Sequence, residues 1–159
     1  MSSGSKRVKT EFDDLTYKII GCAMVVHREL GPGLREDSYQ RDLEIQLSKE
    51  KIAYDSQRYY EVNTLEDKEG FIGYYIPDFV VEDTIIVEIK ALNRLDISHI
   101  AQVIGYLAVT ELPIGLLINI GERSLKFKRI LPPKNITDHH VNRQWLYIPD
   151  WMKEENINL

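Results

Sequence analysis

Asp78, Glu88 and Lys90 are the residues of this chain whose types and spacing point most directly to chemistry. They lie in two runs rich in β-branched and aromatic residues, YYIPDFVV at 74–81 and TIIVEIK at 84–90, separated by the polar pair Glu82-Asp83. Two such runs around a short polar break read as a β-hairpin. With the turn centred near Asp83, Asp78 and Glu88 are equidistant from it and face each other. Side chains alternate along a strand, so Glu88 and Lys90 share one face while Val87 and Ile89 point to the other. Two carboxylates opposed in an antiparallel pair repel. A hard divalent cation, Mg²⁺ or Mn²⁺, resolves that conflict, because it takes oxygen ligands and keeps positions for water and phosphate. Lys90 can then stabilise charge developing on phosphorus or position the attacking water. The alternative is a half-exposed hairpin whose carboxylates face solvent and whose lysine neutralises one of them.

The elements that would hold these residues follow from periodicity and breakers. Asp14 is placed to cap a helix over about 15–29, where Leu15, Ile19, Cys22, Ala23 and Val26 recur at helical spacing and Gly31-Pro32 ends the run. A second helix over about 35–51 turns Leu43 and Leu47 inward and carries Glu36 in its first turn. Three strands are predicted near 57–65, 71–81 and 84–91, the first two joined by a solvated turn at Glu66–Gly70. Asp96 or Ser98 caps a helix running to about 111 and ended by Pro113. The run 114–120, IGLLINI, is a buried strand, with 124–131 pairing as an outer one. This order is α/β or α+β, a mixed sheet flanked by helices, and no internal repeat competes with it.

Between the two front helical patterns stands Gly33-x-x-Glu36-x-x-Tyr39, and here the chain resembles the GxxExxY proteins, a family similar to a branch of the PD-(D/E)XK nuclease-like superfamily. The resemblance also runs through residues 15–21 and 26–33, Pro77-Asp78, Val87-Glu88-Ile89-Lys90, Ala101-Gln102 with Tyr106, and 115–119, so that it covers residues 15 to about 131. It implies a restriction-endonuclease-like α-β-β-β-α-β core and a Mg²⁺- or Mn²⁺-dependent nuclease that hydrolyses phosphodiester bonds, of DNA ahead of RNA. By the same resemblance Asp78, Glu88, Lys90 and Gln102 are the catalytic residues. Asp78, Glu88, the backbone carbonyl of Ile89 and Glu36 would hold one or two metal ions, with Tyr39 and Tyr106 towards substrate.

Each of these roles has an ordinary counterpart. Glu36 is equally a favourable charge beside a helix N-terminus. Tyr39, one turn on, is equally an amphipathic tyrosine in a helix–sheet seam. Gln102 and Tyr106 are spaced to share a helix face, and apart from the resemblance Gln102 reads as a surface residue. His99 reads as solvated or capping. His27 has no partner at ligand spacing, and the adjacent His139 and His140 diverge, so no zinc site is expected. Cys22, the sole cysteine, reads as a buried thiol.

At 159 residues, 43% hydrophobic and 28% charged, the chain is long enough for one domain with a real core. We expect a flexible tail at 1–12, the nuclease-like domain at 13–131, and an extension at 132–159 whose aromatics dock on the domain or on a second subunit. A net charge of -5 and pI near 5.4 exclude a protein that coats nucleic acid by bulk electrostatics, leaving a local surface or a bound cation to meet phosphate. The N-terminal MSSGSKRVKT lacks the apolar core of a signal peptide, and no run has the length to cross a membrane, so the cytoplasm is expected. A homodimer would supply the two sites needed to cut both strands. The rival to catalysis is a silent nuclease-fold module that binds nucleic acid or protein, and a third reading is hydrolysis of another phosphate ester.

Overall fold

The computed structural model describes residues 9–63, 70–133, 146–151 and 153. Helix α1 (Asp13–Leu30) buries Ile19, Cys22, Ala23 and Val26 along one stripe and leaves Tyr17 and Met24 exposed on the other. Its N-cap is Phe12, which offers no side-chain bond, and Asp14 does not cap as expected. Asp13 anchors this end instead. Its Oδ1 accepts the Thr10 N–H at 3.2 Å and pairs with Arg129 of the last strand, while both Asp13 and Asp14 sit where the helix dipole favours a negative charge. The helix stops at Gly31, whose φ of 65° lies in the left-handed region. Helix α2 (Glu36–Lys49) follows and buries Tyr39, Leu43 and Leu47 against α1 and the sheet.

Five strands form the main sheet in the order β1-β4-β5-β6-β7: β1 (Tyr54–Asp55), β4 (Phe79–Val81), β5 (Ile85–Lys90), β6 (Ile114–Asn119) and β7 (Lys126–Ile130). The β5 and β6 strands are parallel, joined through helix α3 (Ile97–Thr110), and all other neighbours are antiparallel. Being covered on both faces, they read as nearly continuous apolar runs. Ile85, Val87 and Ile89 point to the α1–α2 layer, whereas Ile86 points to α3. The fold class is therefore the mixed, helix-flanked sheet expected from the sequence.

One expected strand is two. Residues 71–81 divide into β3 (Phe71–Tyr75), which pairs with β2 (Tyr60–Asn63) as a separate hairpin, and β4, which pairs with β5. Pro77 stands at the break because it has no N–H to give a ladder. The turn from β4 to β5 is the one anticipated. Glu82 and Asp83 both take φ of 52°, the left-handed conformation of a tight turn that the Thr84 N–H closes onto Val81 O at 2.9 Å within a three-residue loop. Their side chains help to hold it, Glu82 accepting the Ala53 N–H at 3.0 Å and Asp83 pairing with Arg58 at 2.8 Å.

Asp96 caps α3, and His99 reciprocates to the Asp96 N–H at 3.0 Å, so this histidine belongs to a capping box. The segment around Tyr147 lies along β3, with Tyr147 and Tyr74 exchanging backbone hydrogen bonds at 2.8 and 2.9 Å, and Trp151 stacks near Phe71. The expected turn at Glu66–Glu69, the tail residues 1–8, and His139, His140, Arg143 and Trp145 lie outside the described residues. Among the described residues no helix is long and apolar enough to cross a membrane.

Close approach of α3 to β6 depends on Gly115, where an added Cβ would stand 2.4 Å from Val103 Cγ1. Gly115→Ala is expected to push α3 away and lower stability by about 1–3 kcal/mol, read from urea unfolding; an unchanged midpoint would show that the seam has slack.

Candidate active site

The β4–β5 register pairs Val81 with Ile85, Val80 with Ile86 and Phe79 with Val87, and its continuation brings Asp78 beside Glu88. Asp78 has already left the ladder, and its side chain takes over what the strand would have done. Its Oδ2 accepts the Ile89 N–H at 2.8 Å, and Glu88 Oε1 accepts the Asp78 N–H at 3.0 Å. The two residues thus hold each other through reciprocal backbone bonds. Glu88 does not face solvent as a half-exposed hairpin charge would, because only 4% of its surface is exposed.

Burial without full compensation has an electrostatic consequence. Burial, with the adjacent Asp78 charge adding to it, pushes the Glu88 carboxyl well above the usual carboxylate range, while Lys90 and the Asp78 N–H work against the shift. Asp78 is also raised, again first by burial, with the Ile89 N–H and Glu88 lowering it, the Glu36 charge raising it and Lys90 lowering it. Both carboxyls are thus shifted towards their neutral forms, and at Glu88 the Asp78 charge adds to the effect of burial.

Around the pair stand residues from three elements. Lys90, half-buried, lies on the Glu88 side of β5. Gln102 and Tyr106 do share a face of α3, Gln102 Nε2 donating to the Tyr106 hydroxyl at 3.2 Å. Burial, with the charges of Glu88 and Asp78 adding to it, pushes the Tyr106 phenol up. Glu36, in the first turn of α2, is near enough for its charge to act on Asp78. Tyr39 is placed differently from the substrate contact expected of it: fully buried, it donates its hydroxyl to the Gly31 carbonyl at 2.5 Å and accepts the Leu34 N–H at 3.0 Å.

Tyr75 was not singled out by sequence reasoning. Its ring meets Tyr106 edge-on at 4.5 Å, and its fully buried hydroxyl has no partner among the described residues. In an unbroken strand, Tyr75 and Asp78 would point to opposite faces. Only the break at Pro77 turns both towards α3.

The donor set suits a hard cation. Two carboxylates, oriented by backbone N–H groups and set against each other's charge, present oxygens of the kind a divalent ion takes. The Ile89 carbonyl is a third oxygen. Lys90 O accepts the Ile120 N–H at 2.8 Å, so the parallel ladder to β6 uses the backbone of Lys90. Alternation turns Ile89 towards the β4 side, where Pro77 has no N–H to occupy its carbonyl. Among the described residues no group of three or more His, Cys, Asp or Glu side chains converges, so Glu36 adds charge at a distance without completing a three-carboxylate cluster. Water and phosphate would fill the remaining positions, as Mg²⁺ prefers.

The family described as the PD-(D/E)XK nuclease superfamily matches the chain over residues 13–130. A solved structure described as "Crystal structure of SSO0001" is similar with a TM-score of 0.50 and 17% identity, over 83% of this chain and 73% of that one. At such low identity the likeness concerns the fold alone. No curated protein sequence matches.

The raised Glu88 pKa sets a pH dependence for the metal-free protein. Between the ordinary glutamate value of 4.5 and the higher folded-state value, the native chain binds more protons than the unfolded chain, so this group's contribution to stability falls as pH rises. Glu88→Gln imitates the protonated form and can still accept from Asp78 N–H and donate to its carboxylate. Melting curves in chelator should show the variant gaining on wild type as pH rises from 4.5 towards 8; a constant difference across that range would contradict the raised Glu88 pKa.

Proposed function

Because this chain belongs to the PD-(D/E)XK nuclease superfamily, we propose that it hydrolyses phosphodiester bonds in nucleic acid, DNA ahead of RNA, with Mg²⁺ or Mn²⁺. The observation that carries this reading is the pairing of a half-buried Asp78 with a buried Glu88, each carboxylate held by the other segment's backbone, with Lys90 on the same face. The superfamily implies a nucleic-acid substrate and the usual divalent metal. The spacing Gly33, Glu36, Tyr39 supports membership of the narrower GxxExxY group.

In this reading Asp78, Glu88 and the Ile89 carbonyl hold the cation, with Glu36 adding negative charge to the mouth. A bound divalent ion supplies positive charge beside the phosphate and makes an attacking water more acidic. Lys90 offsets the charge that builds on the phosphate oxygens. Gln102 and Tyr106 form the α3 wall, where the amide, already directed at the phenol, has a second N–H to offer an anionic oxygen. The domain at 13–131 would carry the whole site, the extension bracing its β2–β3 hairpin. A homodimer would present two such sites to the two strands of a duplex.

The test is cleavage by purified full-length protein of single-stranded, double-stranded and branched DNA in Mg²⁺ or Mn²⁺. Asp78→Ala and Lys90→Ala are each expected to slow cleavage by about 10²–10³-fold. Equal cleavage by both variants would assign the activity to a contaminant and overturn the reading. Mn²⁺ binding that is lost in Glu88→Gln, with no cleavage of any DNA or RNA by wild type, would replace it with a silent binding module.

A further inference from the structure

We infer that Tyr39 is a positioning residue for Glu36: its hydroxyl laces the α1–α2 loop to the core beneath Glu88 and so fixes the charge that Glu36 presents to Asp78. This rests on the proposed cation site.

The loop from Gly31 to Arg35 has little else to hold it. Pro32, Gly33, Leu34 and Arg35 are exposed, and Gly31 and Gly33 take φ of 65° and 106°. Arg35, the N-cap of α2, makes no side-chain capping bond, so the first turn that carries Glu36 is not secured in the usual way. Tyr39 supplies the missing anchor. Its ring is fully buried in the same cluster as Val87 and Ile89, the residues on either side of Glu88. Its hydroxyl donates to Gly31 O at 2.5 Å and accepts from Leu34 N at 3.0 Å, tying both ends of the glycine turn at once. One side chain thus connects the core behind β5 to the loop in front of Glu36. With its proton given to Gly31 and the residue fully buried, this hydroxyl is closed to substrate, and the spacing Gly33, Glu36, Tyr39 becomes one device: a turn, a charge and the brace that aims it.

Tyr39→Phe keeps the ring and removes both hydrogen bonds. Calorimetric titration of the full chain with Mn²⁺ should show about tenfold weaker binding in Tyr39→Phe and in Glu36→Gln, the scale of a lost orienting partner. The double variant should bind no more weakly than Glu36→Gln alone, because the brace acts only through that carboxylate. Gly33→Ala strains the same loop without touching the core, and it too should weaken binding in wild type but not in the Glu36→Gln background. Equal weakening by Tyr39→Phe in both backgrounds would mean a general structural role, and no weakening would mean no role; either overturns the inference. If Glu88→Gln abolishes Mn²⁺ binding while Glu36→Gln leaves it intact, the cation site stands and this inference falls. If Glu88→Gln binds as wild type does, the cation site itself fails.

Discussion

Two carboxylates set against each other beside the end of β5, Glu88 buried and Asp78 half-buried, are the constraint around which this molecule is arranged. A sheet stabilised only by packing would place an apolar pair at that position, since burying Asp78 and Glu88 together costs desolvation and repulsion. The fold limits the cost by giving each carboxylate a backbone N–H from the other segment. Lys90 contributes an opposing charge, but it does not cancel the shift, and the Glu88 carboxyl stays well above the usual carboxylate range.

Pro77 makes the arrangement possible. By ending the ladder between β3 and β4 it frees Asp78 from strand pairing, so that a side chain reaches the Ile89 N–H where a main-chain carbonyl would otherwise have gone. The same break turns β3 onto the α3 side, bringing Tyr75 against Tyr106. Local irregularity at one residue therefore sets both the paired carboxylate oxygens and the contact between Tyr75 and Tyr106.

The layers on either side of the sheet serve different ends of this site. On one face α3 presses close over Gly115 and delivers Gln102 and Tyr106. On the other, α2 packs Tyr39 and Leu43 beneath β5 while its first turn carries Glu36, whose charge acts on Asp78. Asp78 can feel both layers because it lies beyond β4 and is not enclosed within the strand.

Much of this was legible in the chain itself. Alternation and the Glu82-Asp83 turn were enough to face Asp78 with Glu88 and to put Lys90 on the same side, because strand geometry has a period of two and the hairpin has a symmetric centre. Periodicity also located α1, α2, α3, β5 and β6 to within a few residues. Burial, partner and strand continuity were another matter. Nothing local distinguishes a solvated Glu88 from one that is 4% exposed, a substrate-facing Tyr39 from one laced to Gly31, or a continuous 71–81 strand from two strands in different sheets. Those distinctions depend on which distant segments pack over each residue, and that is a property of the assembled layers. The sequence by itself determined which groups could meet across one hairpin; only the tertiary structure decided how deeply they were buried, and burial is what turns a pair of acids into a site that favours a cation.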